Sequence, residues 1–589
     1  MKSFFKIFFA TILGFFTSLI ILFFFGMIMI FAIVSSFSKE EKVSLEPNTI
    51  LKLDLNYQIP ERTSNNPFDR ISFPSMESTN FLGLDEITTN IRKAAQSDDV
   101  KGIYLNLGIM TSGYATLETI RRELDKFRET GKFVVAYGEM INQRAYYLGS
   151  VADYLFLNPV GLLELRGFSS EVVFFKNMFE KLGIEFQVFD AGKYKSASEP
   201  FRLEKMSDAN REQLEEYIFD VYHNYLDKVA TSRNIEFNRL DEIATEFEAR
   251  YPSIALELDM VDGLMYEDEV RDHIRSKLAL TQDEKFPLIS LNRFRSVPGE
   301  KESASRDRIA VLYAEGTIVD GKGSRDNIGS ESFVSTLRKI KEDDRNKALV
   351  IRINSPGGSA LASEVILREI NQVKEKMPVI VTMGNVAASG GYYMACTADK
   401  IFAQDFTVTG SIGVFGLLPN MEGFFNEKIG LTFDRVQTGR FSDLGDVSRP
   451  LNEFEKEIIQ SAVDSIYINF KQRVSDGRGF SMEYTESVSQ GRIFSGTMAL
   501  ENQLVDTLGN LSDAIAYAAW VSELETYRIA YYPEQKDPFE SLLEGFAGGI
   551  QKRILQTAMG KTFQYYQQAE QALEYHPFQA RMPFEIRLN

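Results

Sequence analysis

The sequence predicts an α/β protein in which one unit with a mostly parallel sheet occurs twice behind an N-terminal membrane helix. Three observations predict it. Apolar, β-branched runs alternate with helical patterns, as in parallel strands joined by crossover helices. The second half repeats the first in the same order and at nearly constant spacing. Residues 7–37 carry no charged side chain and are dominated by Phe, Ile and Leu.

The N-terminal run comes first. A helix needs about 20 apolar residues to span a bilayer, and this run exceeds that even with tilt. A signal peptide has a shorter apolar core, roughly 7–15 residues, and ends at a small-residue cleavage site. Residues 32–36 only loosely resemble such a site, so residues 1–42 are expected to be an uncleaved anchor. Lys2 and Lys6 precede the run, and the charges of Lys39, Glu40, Glu41 and Lys42 cancel after it. The positive-inside rule then leaves the N-terminus in the cytoplasm and places the rest on the outer side of the membrane.

The repeat is clearest where GEMINQRAYYLGSVADYLFL (138–157) meets GNVAASGGYYMACTADKIFA (384–403). Tyr146-Tyr147 falls on Tyr392-Tyr393, and Ala152-Asp153 on Ala398-Asp399, at one constant offset. Residues 49–59 and 308–318 alternate as strands do. Residues 101–107 and 347–354, then 133–138 and 379–384, read as buried parallel strands. Helical patterns at 117–127 and 362–373 lie between them, and long helices are expected at 208–229 and 452–474. The expected domains are 43–295 and 305–530. A linker is expected around 286–306, where Pro287, Pro298 and Gly299 cluster with charged residues. Residues 531–589 have no counterpart in the first half. Residues 557–575 there look helical and are expected to pack on a neighbouring domain or subunit, with a substrate-gating role as the alternative.

Composition narrows the function. The chain has 589 residues and a net charge of −18, with 44% hydrophobic and 25% charged residues. That acidity disfavours nucleic-acid binding, which needs clustered Lys and Arg. Cys396 is the single cysteine, so no intramolecular disulfide forms and no zinc motif exists. No cofactor or metal is expected. The three histidines, His223, His273 and His576, lie far in sequence from every glycine-rich or serine-bearing motif, which weighs against a Ser-His-Asp triad.

The chemistry points to Ser389 and Lys195. At the repeat offset Ser389 falls on Gln143. In the pairing of residues 190–201 with 437–450, Lys195 falls on Ser442. Each half holds what the other lacks, as a single divided active site would. NSPGGS (354–359) reads as a tight strand-to-helix turn whose glycines let backbone N–H groups approach a ligand; no phosphate-loop lysine follows. Ser389 in AASGGYY (387–393) sits at a helix start, where a serine is most often a cap. The glycines after it leave room for a substrate backbone, and the Gly390 N–H would point where an oxyanion forms.

A serine nucleophile needs a base, and lysine is the leading alternative to histidine. A free lysine has a pKa of about 10.4. To accept a proton near neutral pH that value must fall by about 3, worth roughly 4 kcal/mol, mainly through burial. Lys193 competes with Lys195, because residues two apart in an extended segment face one side.

Together and in order, YKSASEPF (194–201), NSPGGS, AASGGYY and GSIGVFG (410–416) resemble the long, tandem-repeat signal peptide peptidase A family. These are membrane-bound Ser-Lys proteases of the crotonase/caseinolytic-protease fold superfamily. The resemblance spans essentially the whole chain. It implies that Ser389 is the nucleophile and Lys195 the general base, with Gly357 or Gly358 and the Gly390 N–H forming the oxyanion hole. Ser411 becomes a candidate supporting or substrate-wall residue. The implied substrates are cleaved signal peptides and other short apolar peptides, met at the periplasmic side of a bacterial inner membrane. The implied assembly is a homo-oligomeric ring or bowl, with a tetramer as one candidate. Two other readings stand beside this one: a crotonase-like acyl-CoA hydratase or isomerase, and a catalytically silent membrane scaffold. Whether Lys195 meets the Ser389 of its own chain or of a neighbour is left open.

Overall fold

The computed structural model describes residues 2–38, 43–64, 71–72, 77–78, 81–281, 284–299, 303–324, 326–535, 563 and 578–582. The first helix, Lys2–Ser38, contains the stretch Lys6–Phe25, which is long and apolar enough to cross a membrane by length and composition. Such a stretch serves a membrane anchor or a signal sequence alike.

The first repeat is a parallel sheet in the order Gly263–Leu264, Tyr154–Leu163, Phe133–Ile141, Val100–Leu107, Thr49–Asp54, Leu288–Ser290. Its inner strands are buried on both faces, which is why they read as continuous apolar runs rather than alternating ones. Helices Leu84–Gln96 and Tyr114–Glu129 cover it through Ile87, Ile91, Leu117, Ile120 and Leu124. The second repeat rebuilds the plan in the order Ile493–Phe494, Val408–Gly410, Val379–Ala388, Asn346–Ser355, Arg308–Glu315, Arg528–Tyr532, with Lys400–Ala403 also paired to Val379–Ala388. Equivalent polar anchors recur. Asp153 accepts from Val134 N as Asp399 does from Val379 N, and the hydroxyls of Tyr146 and Tyr392 donate to Met260 O and Leu504 O.

The α/β class and the tandem repeat are thus borne out. One expectation changes. The segment read as a linker opens with the edge strand Leu288–Ser290 and helix Leu291–Phe294, because Leu288 and Ile289 complete the first sheet. Further on, Phe578–Arg581 of the C-terminal extension is a strand; residues 557–575, where a helix is expected, lie outside the described residues except Phe563.

A third sheet joins the repeats. Its order is Asn327–Gly329, Thr317–Val319, Gly357–Ser359, Phe578–Arg581, Val414–Asn420, Glu185–Ala191. Glu185–Ala191 of repeat one runs antiparallel to Val414–Asn420 of repeat two over seven residue pairs. Phe406, Val408 and Ile493 of repeat two also enter the first repeat's core. A buried ion pair crosses the seam, with Arg352 Nε 2.9 Å from Glu61 Oε2.

Candidate active site

The joining sheet sets the site. Glu185–Ala191 delivers the chain to Gly192, and Lys195 follows at the start of the short turn Ser196–Ser198. On the other side, Val379–Ala388 ends at Ser389, which starts helix Gly390–Ala395. Ser389 holds φ +55° and ψ −112°, a conformation that is costly for a residue with a side chain and typical of nucleophile turns. Its backbone is pinned on both sides, by Ser389 N donating to Gly410 O and by Tyr393 N donating to Ser389 O. Ser389 occupies the cap position, yet its hydroxyl makes no capping hydrogen bond.

That hydroxyl instead faces the lysine. Lys195 Nζ lies 2.8 Å from Ser389 Oγ, 3.0 Å from Ser411 O and 3.0 Å from Ser411 Oγ. All three residues belong to one chain. Ser389 and Ser411 are 0% exposed and Lys195 is 2% exposed. Burial holds the Lys195 ammonium well below the ordinary lysine range, and the Asp190 carboxylate opposes this from a distance. Asp190 itself accepts from Ser198 Oγ and Arg202 Nη2. The Ser411 carbonyl can only accept a hydrogen bond. An amine that donates its two N–H groups to Ser411 therefore turns its lone pair toward the Ser389 proton.

Lys193 does not join them. Its ammonium reaches Tyr194 OH at 3.0 Å and Glu212 at 3.6 Å, with the side chain 60% exposed. The same-side rule holds for extended backbone, and residues 192–198 form a turn rather than a strand. The repeat partners of the two key residues lie elsewhere. Gln143 bonds Gly167 O and Arg166 N in the first repeat, and Ser442 sits exposed beside Gly439. Among the histidines, His273 packs against Tyr154 and Phe156, and His223 against Phe219 and Phe237; His576 lies outside the described residues.

The glycines separate. A methyl group built on Gly357 would come within 2.6 Å of Gly390 N, so these two backbones face each other closely. A methyl group on Gly358 would instead meet Ile318 O at 2.0 Å, because Gly358 pairs with the strand Thr317–Val319. Ser355, which the sequence did not single out, accepts from Gly357 N at 3.2 Å and donates to Gly316 O at 2.6 Å, holding the turn. Ser359 caps the following helix by accepting from Ala362 N.

Phe578–Arg581 lies between Gly357–Ser359 and Val414–Asn420, antiparallel to both. Its Ala580 carbonyl enters the space between the glycines. Methyl groups built on Gly357 and Gly390 would lie 2.2 Å and 2.9 Å from that oxygen. An extended segment can therefore seat in this cleft with a carbonyl against the backbone beside Ser389.

Comparison with known proteins places the chain in a family. The model for peptidase family S49 matches residues 126–281 and again 371–525, and a Clp protease model matches residues 300–404. The chain is 32% identical over 474 residues to "Serine protease SPPA, chloroplastic" of Arabidopsis thaliana, covering 79% of this chain and 70% of the relative. It is 32% identical over 485 residues to "Protease 4" of Salmonella typhi, covering 80% and 77%. It is 33% identical over 441 residues to "Protease 4" of Haemophilus influenzae, covering 73% and 71%. With an S49 match in each half and such relatives along most of its length, the chain belongs to peptidase family S49, as a tandem-repeat serine protease.

Proposed function

We propose that the chain is a membrane-anchored endopeptidase in which Ser389 is the nucleophile and Lys195 the general base. The observation that carries this reading is the 2.8 Å approach of Lys195 Nζ to Ser389 Oγ, made by two buried side chains from different repeats. Residues 43–295 supply the base and residues 305–530 the nucleophile. Neutral Lys195 takes the Ser389 proton as Oγ attacks a peptide carbonyl. The Gly390 N–H, with an N–H from the Gly357–Gly358 turn, holds the oxyanion. Lys195 then passes its proton to the leaving amine. It next takes a proton from the water that cleaves the acyl-enzyme and returns it to Ser389. Water is the only co-reactant.

Substrates bind as extended strands between Gly357–Ser359 and Val414–Asn420, the place that Phe578–Arg581 now fills. The N-terminal apolar helix supports a location at the outer face of a bacterial inner membrane. Cleaved signal peptides and other short apolar peptides reach such an enzyme as they leave the bilayer. A homo-oligomeric ring, with four subunits as one arrangement, completes the proposal. The test is labelling by a fluorophosphonate together with peptide hydrolysis. Labelling is expected at Ser389, and Ser389→Ala is expected to abolish hydrolysis while leaving assembly intact. Peptide cleavage by that variant would overturn the assignment.

A further inference from the structure

Three loops meet backbone to backbone behind the lysine. Residues 190–196 carry Lys195 from repeat one, residues 410–413 carry Ser411, and residues 489–493 of repeat two wedge between them. Side chains are missing where they touch. A methyl group on Gly491, which holds φ +79°, would lie 2.6 Å from Lys195 Cβ and 2.7 Å from its Cα and N. One on Gly192, at φ +119°, would lie 2.6 Å from the carbonyl carbon and oxygen of Gln490. One on Gly413 would lie 2.9 Å from Gly491 Cα and 3.1 Å from Ala191 O. Each loop thus presents a glycine to the backbone of another.

Hydrogen bonds lock the same contacts. Tyr194 N donates to Gln490 O at 2.8 Å, and Lys193 N donates to Gln490 Oε1 at 2.9 Å. Gly491 N donates to Ile412 O at 2.8 Å, and Ser411 N donates to Arg492 O at 2.7 Å. The turn around Gly491 therefore grips the loop bearing Lys195 and the loop bearing Ser411 at once. Buried Gln213 ties the arrangement to helix Asp208–Arg233. Its Nε2 donates to Tyr194 O at 2.9 Å, and its Oε1 accepts from Ile493 N at 3.3 Å.

We propose that Gly491 is a positioning residue for the general base: lying bare against the Lys195 backbone, it sets the reach of Lys195 Nζ toward Ser389 Oγ and Ser411. The proposal rests on the Ser389–Lys195 reading given above. A side chain at residue 491 must push the lysine loop out from 2.6 Å toward the ordinary contact range that begins at 3.4 Å. A misplacement of about 1 Å in a reacting group costs on the order of 100-fold in rate.

The seam supplies its own control. Gly183, at φ +74°, lies near the far end of the same strand pair, and a methyl group there would meet Gly423 C and Phe424 N at 2.6 Å. Gly183→Ala thus strains the same repeat-to-repeat seam without touching Lys195. The experiment measures, on the full chain in detergent, the rate of fluorophosphonate labelling at Ser389 across pH together with thermal unfolding. Gly491→Ala is expected to label about 100-fold more slowly at neutral pH, with the acid limb of the profile displaced upward as water reaches the lysine. Gly183→Ala is expected to keep the parent's labelling rate and limb at a similar loss of thermal stability. If Gly491→Ala does not fold, the milder Gly413→Ala, which presses on Gly491 from behind, decides by the same criteria with an expected loss of about tenfold. Parental labelling by the deciding variant at every pH overturns the proposal, as does an equal loss in Gly183→Ala. Lys195→Ala separates the two levels: if it labels at the parental rate the Ser-Lys reading itself falls, and if it does not while the deciding variant does, only the role of Gly491 falls.

Discussion

Replacing Ser411 with alanine removes one of the three oxygens around the Lys195 amine. Those oxygens are Ser389 Oγ at 2.8 Å and the carbonyl and hydroxyl of Ser411, each at 3.0 Å. After proton transfer the ammonium has three N–H groups for three acceptors. Ser411→Ala leaves one of them without a partner in a site closed to water, since Lys195 is 2% exposed. An unsatisfied buried donor costs about 1–3 kcal/mol. At 1.36 kcal/mol per factor of ten this is roughly a fivefold to 150-fold loss of rate. The loss falls on kcat more than on KM, because the charge on the lysine develops only after substrate is bound.

The pH dependence has a definite sign. Burial depresses the Lys195 pKa, so the neutral base persists to lower pH than a free lysine, and activity is lost as pH falls through that depressed value. Removing an acceptor destabilises the ammonium further. The acid limb of kcat/KM in Ser411→Ala is therefore expected at lower pH than in the parent, beneath a lower plateau. Steady-state peptide hydrolysis across pH measures both. A plateau within twofold of the parent's, or a limb moved upward, would refute the reasoning.

Two further outcomes follow from the same geometry. Arg352 and Glu61 form an ion pair across the seam with side chains only 1% and 3% exposed. Glu61→Ala strands the buried guanidinium and is expected to cost about 3–5 kcal/mol, read as a lowered urea midpoint; unchanged stability would show that the pair does not hold the repeats together. A chain ending at Pro577 lacks the strand that fills the cleft between Gly357–Ser359 and Val414–Asn420. It is expected to label at Ser389 about tenfold faster, since the open cleft is then the dominant state; slower labelling would make the strand a wall of the site.

The two sheets were legible because their inner strands are apolar on both faces, as at Leu349, Val350 and Ile351, and because the pattern occurs twice. The complementary halves made Ser389 and Lys195 legible as a pair. The joining sheet was not, since Glu185–Ala191 and Val414–Asn420 are distant in sequence and neither signals its partner. Phe578–Arg581 is a four-residue strand held between two others, too short to carry a pattern of its own. Strand periodicity keeps Lys193 open beside Lys195, and it does not apply to the turn that residues 192–198 form. Gly491 stands in the turn-like SQGR run, but the backbone it touches belongs to the other repeat.

The most direct test of the central claim compares Lys195→Ala with Lys193→Ala in fluorophosphonate labelling and peptide hydrolysis near pH 8. Lys193→Ala is expected to label at Ser389 and to cleave as the parent does. Lys195→Ala is expected to fold and to lose both by at least about 100-fold, the lower range for removing a positioned base. Parental activity in Lys195→Ala, or its loss in Lys193→Ala instead, would contradict a catalytic site shared between Ser389 of one repeat and Lys195 of the other.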